Sequence, residues 1–331
     1  MPSTHVINFS GAFPCYTDGS PITALRHQEE TKEITKGITV NFSFSNKPGR
    51  DYFNYHEKIS SYANIISAPA KAIDETVTEK SFMIFEEEAE KSVFMYIDTN
   101  SSRANITPIT EKLMGQKIAI IGTGGTGSYI LDYVSKTPVE EIHLYDGDSF
   151  YVHNAFRAPG AATIAELQKQ LKKVEYLKQK YSEMHKGIIP HDYNITEETV
   201  NELTDKSFVF ISIDKGAAKR LIIDILLEAK IPFIDVGMGI DVIKNSLIGT
   251  LRITTGTNEK NEHLNERISF VDDDDDGYKS NIQIAELNAL NAALAVIKWK
   301  KMYGFYNDME KEYHTTYTIN ESQLLNDETA T

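Results

Sequence analysis

The sequence predicts an α/β chain: a doubly wound, mostly parallel sheet with helices on both faces, plus a smaller N-terminal α+β domain. Three observations predict it. From about residue 98, short apolar runs alternate with segments of helical spacing, the pattern of strand–helix–strand units. The apolar run Lys117 to Ile121 leads directly into Gly122-x-Gly124-Gly125-x-Gly127, after which Ile130, Leu131 and Val134 share a helical face. A second apolar run, Ile142 to Tyr145, ends at Asp146, nineteen positions after Gly127. The expected boundaries are residues 1–97 for the first domain and 98–331 for the second.

In the first domain, His5 to Phe9 and Ile38 to Phe44 read as strands, and Pro48-Gly49 as a turn. Tyr52 to Ile66 has helical spacing, and Pro69 is expected to end that helix. Ser81 to Phe85 and Ser92 to Ile97 read as a hairpin around the acidic turn Glu86 to Glu90. The cluster Tyr55-His56-Glu57-Lys58 reads as a solvated helix face, and no H-E-x-x-H pattern suggests a metal.

In the second domain, glycines suit a tight strand-to-helix turn because they accept positive φ and let backbone approach a ligand closely. The helix N-terminus that follows offers free N–H donors and a favourable dipole to an anion. Asp146 ends the next strand where a Rossmann-like fold places a carboxylate for ribose hydroxyls. On these residues alone NAD and ATP fit equally. Thr163 to Tyr181 reads as one lysine-rich amphipathic helix, followed by strand 207–213, helix 216–230, strand 232–236 and strand 246–254. Residues 256–280 read as a mobile acidic loop, with Asp272 to Asp276 repelling one another into extended chain. Ile282 to Tyr303 reads as a helix with Ile284, Leu287, Leu294 and Ile297 toward the core, and Lys298, Lys300 and Lys301 complementing its dipole. Residues 322–331 read as frayed, and no internal repeat is present.

Composition narrows the class. The 331 residues carry 34 basic and 48 acidic side chains, a net charge of −14, which argues against nucleic acid as a main partner. No apolar run approaches membrane-spanning length, so no membrane role is expected. The single cysteine excludes an intrachain disulfide, which suits a soluble, cytoplasmic location.

Five separated polar positions carry a family resemblance. Asp146-x-Asp148-x5-Asn154-x2-Arg157 resembles the D-x-D-x5-N-x2-R signature of the ubiquitin-activating-enzyme superfamily, which includes ThiF, MoeB and HesA. Lys172-Lys173-Val174-Glu175 opens a helix where that family carries its ATP-contacting lysine. Phe208 to Asp214 resembles the strand that ends in its magnesium-linked aspartate, and Ile231 to Gly237 resembles the next strand. Arg103 stands where the family places an arginine that crosses to a partner subunit's nucleotide. Closer still is the likeness to bacterial ThiF-type proteins with an extra N-terminal domain.

The resemblance implies an ATP- and Mg²⁺-dependent adenylyltransferase. Gly122, Gly124, Gly125 and Gly127 would cradle phosphate, Asp146 would bind ribose beside Asp148, and Asn154, Arg157 and Lys173 would hold the triphosphate. Asp214 would hold Mg²⁺, although it also stands where it could cap the following helix. The carboxylate activated would be the C-terminus of a ubiquitin-like protein or peptide, recognised by the N-terminal domain, and Arg103 would require a homodimer. Two departures matter. The family often has a nucleophilic cysteine before its last helix and a zinc site of two C-x-x-C pairs; this chain has only Cys15, which reads as an inert packing residue. The glutamine that follows the family's arginine is Ala158 here. An NAD-dependent oxidoreductase and a non-catalytic nucleotide-binding scaffold stand as the alternatives.

Overall fold

The computed structural model describes residues 2–80, 92–270 and 282–329. The chain divides into two compact units, Met1–Met83 and Ile84–Thr331. Ser81 to Phe85 and Glu86 to Glu90 of the expected hairpin, and the acidic run Asp272 to Asp276, lie outside the described residues.

The first unit is a three-stranded antiparallel sheet in the order β1-β3-β2, with β1 at Val6–Phe9, β2 at Arg26–Thr35 and β3 at Ile38–Ser45. One helix, Tyr55–Ile73, accompanies it. Phe44, Tyr52 and Tyr62 form the core with Ile22 and Leu25. Three expectations are corrected. The helix runs through Pro69, which removes one N–H but leaves the final turn closed by the Asp74 N–H donating to the Ala70 carbonyl. Within the Tyr55–Lys58 cluster, Lys58 is buried, not solvated: its Nζ donates to the carbonyls of Thr4 (2.8 Å) and Val6 (2.7 Å). Cys15 is exposed, so it is not a packing residue; its thiol donates to the Phe13 carbonyl at 3.5 Å.

The second unit is built on an eight-stranded mixed sheet, ordered β11-β10-β9-β8-β7-β4-β5-β6. Its strands are β4 Lys117–Ile121, β5 Glu141–Tyr145, β6 Ile188–His191, β7 Phe208–Ile211, β8 Phe233–Ile243, β9 Ser246–Gly256, β10 His314–Thr318 and β11 Gln323–Asp327. β8, β7, β4, β5 and β6 are mutually parallel, and β9 to β11 add on antiparallel. Side-chain alternation sorts the core into two layers. Ile118, Ile120, Phe208 and Phe210 face one layer, with helices Gly125–Val134, Lys173–Tyr181 and Ala285–Met302. Ala119, Ile121, Val209 and Ile211 face the other, with helix Gly216–Glu228. The parallel order reverses at β4: β5 lies on one side and β7 on the other, which opens a crevice at the carboxyl ends of the strands.

Several elements differ from expectation. Thr163 to Tyr181 is two helices, Ile164–Gln168 and Lys173–Tyr181, broken where Gln170 takes φ +47. Residues 322–331 are not frayed throughout, since β11 pairs with β10. The described part of 256–280 is packed: helix Leu264–Arg267 buries Leu264, and Ile268 follows it into the core. The terminal helix turns another face inward. Asn288, Asn291, Ala292, Ala295, Val296 and Trp299 are buried, whereas Ile297 is 41% exposed. No helix among the described residues is long and apolar enough to cross a membrane.

Buried imidazoles give this unit a pH dependence. His314 of β10 is pushed down to about 4 by burial, with Arg267 and Arg252 adding in the same direction. An unfolded histidine titrates near 6.5, so between about 4 and 6.5 the unfolded chain holds the extra proton and stability rises with pH. Stability contributed by neutral His314 is complete above about 6.5 and is lost as the pH falls toward 4. His143, His185, His191 and His263 are lowered by burial as well. Urea denaturation at pH 7 and pH 5 is expected to show a loss at pH 5 that His314→Gln reduces by about 1–3 kcal/mol.

Candidate functional site

The crevice is a cleft of about 760 Å³ in the second unit. Its floor is the glycine turn. Gly122 takes φ +83, and a Cβ there would lie 2.6 Å from the Ser212 carbonyl oxygen. A Cβ on Gly127 would lie 1.9 Å from the Gly122 carbonyl oxygen, so Gly127 packs beneath the turn and is not part of the cleft lining. Around Gly124, by contrast, no atom lies within 4 Å of where a Cβ would stand, and its Cα faces the cleft. Helix Gly125–Val134 starts here without a side-chain cap, which leaves its first N–H groups available to a ligand.

Asp146, buried at the end of β5, ties the turn down. Its Oδ2 accepts the Thr123 backbone N–H (2.8 Å) and hydroxyl (3.2 Å), and its Oδ1 accepts the Asp148 N–H (3.0 Å). Lys173, buried at the start of its helix, donates to Asp148 Oδ2 at 2.7 Å and stands 3.3 and 3.4 Å from the two Asp146 oxygens. That hydrogen bond holds the Asp148 carboxyl below the usual carboxylate range, against a smaller opposing effect of burial. The Asp148 side chain is 70% exposed, and its open face lies on the cleft.

Arg157 and Asp214 line the opposite part of the cleft. Burial pushes the Arg157 guanidinium below its ordinary value, and the charge of Asp214 acts the other way. Arg157 Nε is buried without a hydrogen-bond partner. Asn154 is buried in the short helix Val152–Ala155, where its Oδ1 accepts the Tyr151 N–H at 2.9 Å. Its Nδ2 has no partner, and Asn154 is absent from the cleft lining. The capping position of helix Gly216–Glu228 falls on Lys215, not on Asp214. Arg103 is exposed on helix Thr99–Arg103, outside the lining. Ala158 is buried in the core.

The structure therefore gathers Gly122, Gly124, Gly125, Asp146, Asp148, Arg157, Lys173 and Asp214 around one cleft. It also brings in residues the sequence reading missed. Asn194 and Ile195 line the cleft near Asp146, and Asn194 Oδ1 accepts the Gly147 N–H at 3.2 Å. From the terminal helix, Asn288 accepts the Thr126 hydroxyl (3.0 Å) and donates to the Arg157 carbonyl (3.3 Å). Asn291 Nδ2 donates to the Gly237 carbonyl at 3.0 Å. Asp235, fully buried in β8, pairs with Lys219 (3.1 Å) and Arg252 (2.7 Å), both of which line the cleft. The available signal was polar residues at otherwise buried positions: Asn288 and Asn291 three apart on one helix face, and Asp235 inside an apolar strand. Among the described residues no group of three or more His, Cys, Asp or Glu is placed to hold a metal.

Two glycine substitutions separate fold from site. Gly127→Ala drives a methyl into the Gly122 carbonyl and is expected to cost at least about 3 kcal/mol in urea denaturation. Gly124→Ala meets no neighbour, so its stability loss is smaller, while its methyl takes up part of the cleft floor, which a change in ligand affinity with little change in urea denaturation would show.

Residues 100–249 match the ThiF family, and residues 1–99 match a Domain of unknown function (DUF6791). No curated protein compared with the chain matches it significantly. Among solved structures, PaaA is similar at 17% identity and a TM-score of 0.55, with 84% of each chain covered. E. coli MccB with MccA-N7isoASN is similar at 16% identity and a TM-score of 0.58, over 92% of this chain and 96% of that one. E. coli MccB with ATP gives 17%, 0.54 and the same coverage. At these identities the likeness establishes the fold, which agrees with the Rossmann-like sheet described above. The chain thus pairs a segment that resembles the ThiF family, residues 100–249, with an N-terminal segment that matches a domain of unknown function, residues 1–99.

Proposed function

We propose that this protein is an ATP-dependent adenylyltransferase that activates a carboxylate as an acyl adenylate. The observation that carries the reading is the convergence of the glycine turn, the Asp146–Lys173–Asp148 cluster and the Arg157–Asp214 pair on one cleft. The residues fit a nucleoside triphosphate. The turn has an open floor at Gly124 and an uncapped helix N-terminus, and Arg157, Lys173 and Lys215 supply positive charge beside it. The buried N–H donor of Arg157 Nε, on the cleft lining, has no hydrogen-bond partner within the protein, which suits an anion. The ThiF-family match, and MccB structures that contain ATP or MccA, support the same reading.

In the reaction, a carboxylate oxygen attacks the α-phosphorus, the bond from that phosphorus to the bridging oxygen breaks, and pyrophosphate leaves with the electron pair. The protein's part is positioning and charge stabilisation. Asp146 and Asp148 orient the ribose side, and the turn amides and Arg157 hold the phosphates. Lys173 exchanges part of its carboxylate pairing for phosphate oxygens. Asp214 would hold Mg²⁺, which would offset phosphate charge. Cys15 is the chain's one cysteine and no cysteine lies within the ThiF-like segment, which favours transfer of the adenylate to a nucleophile on another molecule. The substrate would be the C-terminal carboxylate of a ubiquitin-like protein or peptide, recruited by the N-terminal domain. Arg103 would reach into the cleft of a second copy, in a cytoplasmic homodimer.

Calorimetry with ATP and Mg²⁺ tests the reading. Wild type is expected to bind ATP, and Asp146→Ala and Arg157→Ala to weaken binding by about tenfold or more. Pyrophosphate exchange should appear once a carboxylate partner is added. Binding of NAD in place of ATP would return the chain to the oxidoreductases.

A further inference from the structure

We infer that Arg252, held in place by buried Asp235, receives the substrate's carboxylate, and that Asn291, which lines the same cleft, reads an adjacent amide N–H. The inference rests on the adenylation reading above and assigns the acyl half of the cleft.

Sheet order sets the location. Across the carboxyl ends of the strands, Asp146 ends β5, the glycine turn ends β4, and Asp214 follows β7. Asp235 on β8 is in register with Ile211, the last residue of β7. With neighbouring strands about 4.8 Å apart, β8 lies about 10 Å from β4, on the side away from β5. If ribose lies over β5 and phosphate over β4, the attacking carboxylate approaches from β7 and β8, where Arg252 stands.

Arg252 is built for that task. Its guanidinium lies over Gly237, where a Cβ would come within 2.5 Å of Nη2 and displace it. Nη2 donates to Asp235 Oδ2 at 2.7 Å, and Nη1 donates to the Arg267 carbonyl. Those two bonds use two of the five N–H donors of a guanidinium. The side chain is 20% exposed and lines the cleft. Asp235 is fully buried and answers two cations, Lys219 and Arg252, which leaves one positive charge in surplus among these three groups. Such a surplus suits an anion that arrives with the substrate.

Asn291 narrows the anion's identity. It is buried, lines the cleft, and spends its Nδ2 on the Gly237 carbonyl, the same residue that Arg252 covers. Its Oδ1 has no hydrogen-bond partner. An open acceptor and an open guanidinium that line one cleft and both meet Gly237 match the last unit of a peptide, which carries an amide N–H next to its carboxylate. A plain aliphatic acid would satisfy Arg252 and leave Asn291 unpaired.

The test is binding of N-acetylglycylglycine, and of its ester-linked isostere that lacks the N–H, to full-length protein saturated with a non-hydrolysable ATP analogue, followed by NMR. Arg252→Lys keeps a charge for Asp235 but loses the planar fork, and Asn291→Leu removes the acceptor. Arg252→Lys is expected to weaken both probes by about 10-fold or more. Asn291→Leu should weaken the amide probe alone and so erase the wild-type preference over the ester. ATP-analogue affinity should stay unchanged in both. Asp235→Asn should weaken the probes in wild type but add little to Arg252→Lys, the non-additivity of a residue that acts through another. Equal probe affinity in wild type and Arg252→Lys, or no probe binding to wild type up to about 10 mM with the analogue bound, overturns the assignment. Failure of the analogue itself to bind overturns the nucleotide reading beneath it.

Discussion

The structure turns on the contact between Gly127 and the Gly122 carbonyl. A strand must end, reverse and become a helix within a few residues, and a Cβ at Gly127 would occupy the space of the Gly122 oxygen. With that contact made, every neighbour is tied to the same turn. The Gly122 N–H donates to the Tyr145 carbonyl of β5, and the Ser212 N–H after β7 donates to the Ile121 carbonyl, both at 2.8 Å. Asp146 binds Thr123 through two bonds. Asn288 packs against Gly125, where a Cβ would meet its Nδ2 at 2.1 Å. One turn thus joins three parallel strands and the terminal helix, and the cleft is what the turn leaves open above Gly124.

Charge in the cleft is arranged as pairs that are each incomplete. Lys173 is shared between two carboxylates, whereas Asp235 is shared between two cations. The first arrangement lies on the β5 side of the turn and the second on the β8 side. An anionic ligand that enters between them finds a lysine able to exchange partners and an arginine with unused donors. Because these groups, exposed Asp148 apart, are buried or half-buried, each exchange counts for more than it would at the surface.

The sequence made the nucleotide half of this account legible and the acyl half illegible, for physical reasons. Gly122 to Gly127 and Asp146 are read from spacing because a phosphate turn needs glycine and a strand end fixes where the acid falls, and Arg157 is read from the family resemblance. β2 carries no apolar alternation, since its whole length, Arg26–Thr35, is exposed. β10 and β11 are short and polar at the outer end of the sheet. The terminal helix misled for the opposite reason. Its apolar Ile297 is exposed while Asn288 and Asn291 are buried, because the cleft needs polar groups on that face. Arg252 and Asp235 lie seventeen positions apart and meet only through the β8–β9 pairing.

Backbone hydrogen–deuterium exchange, with and without ATP and Mg²⁺, tests the central claim most directly. If the turn is the phosphate site, ATP slows exchange at the amides of residues 123–128, and NAD does not. Protection confined to other segments, or equal protection by NAD, would contradict the account.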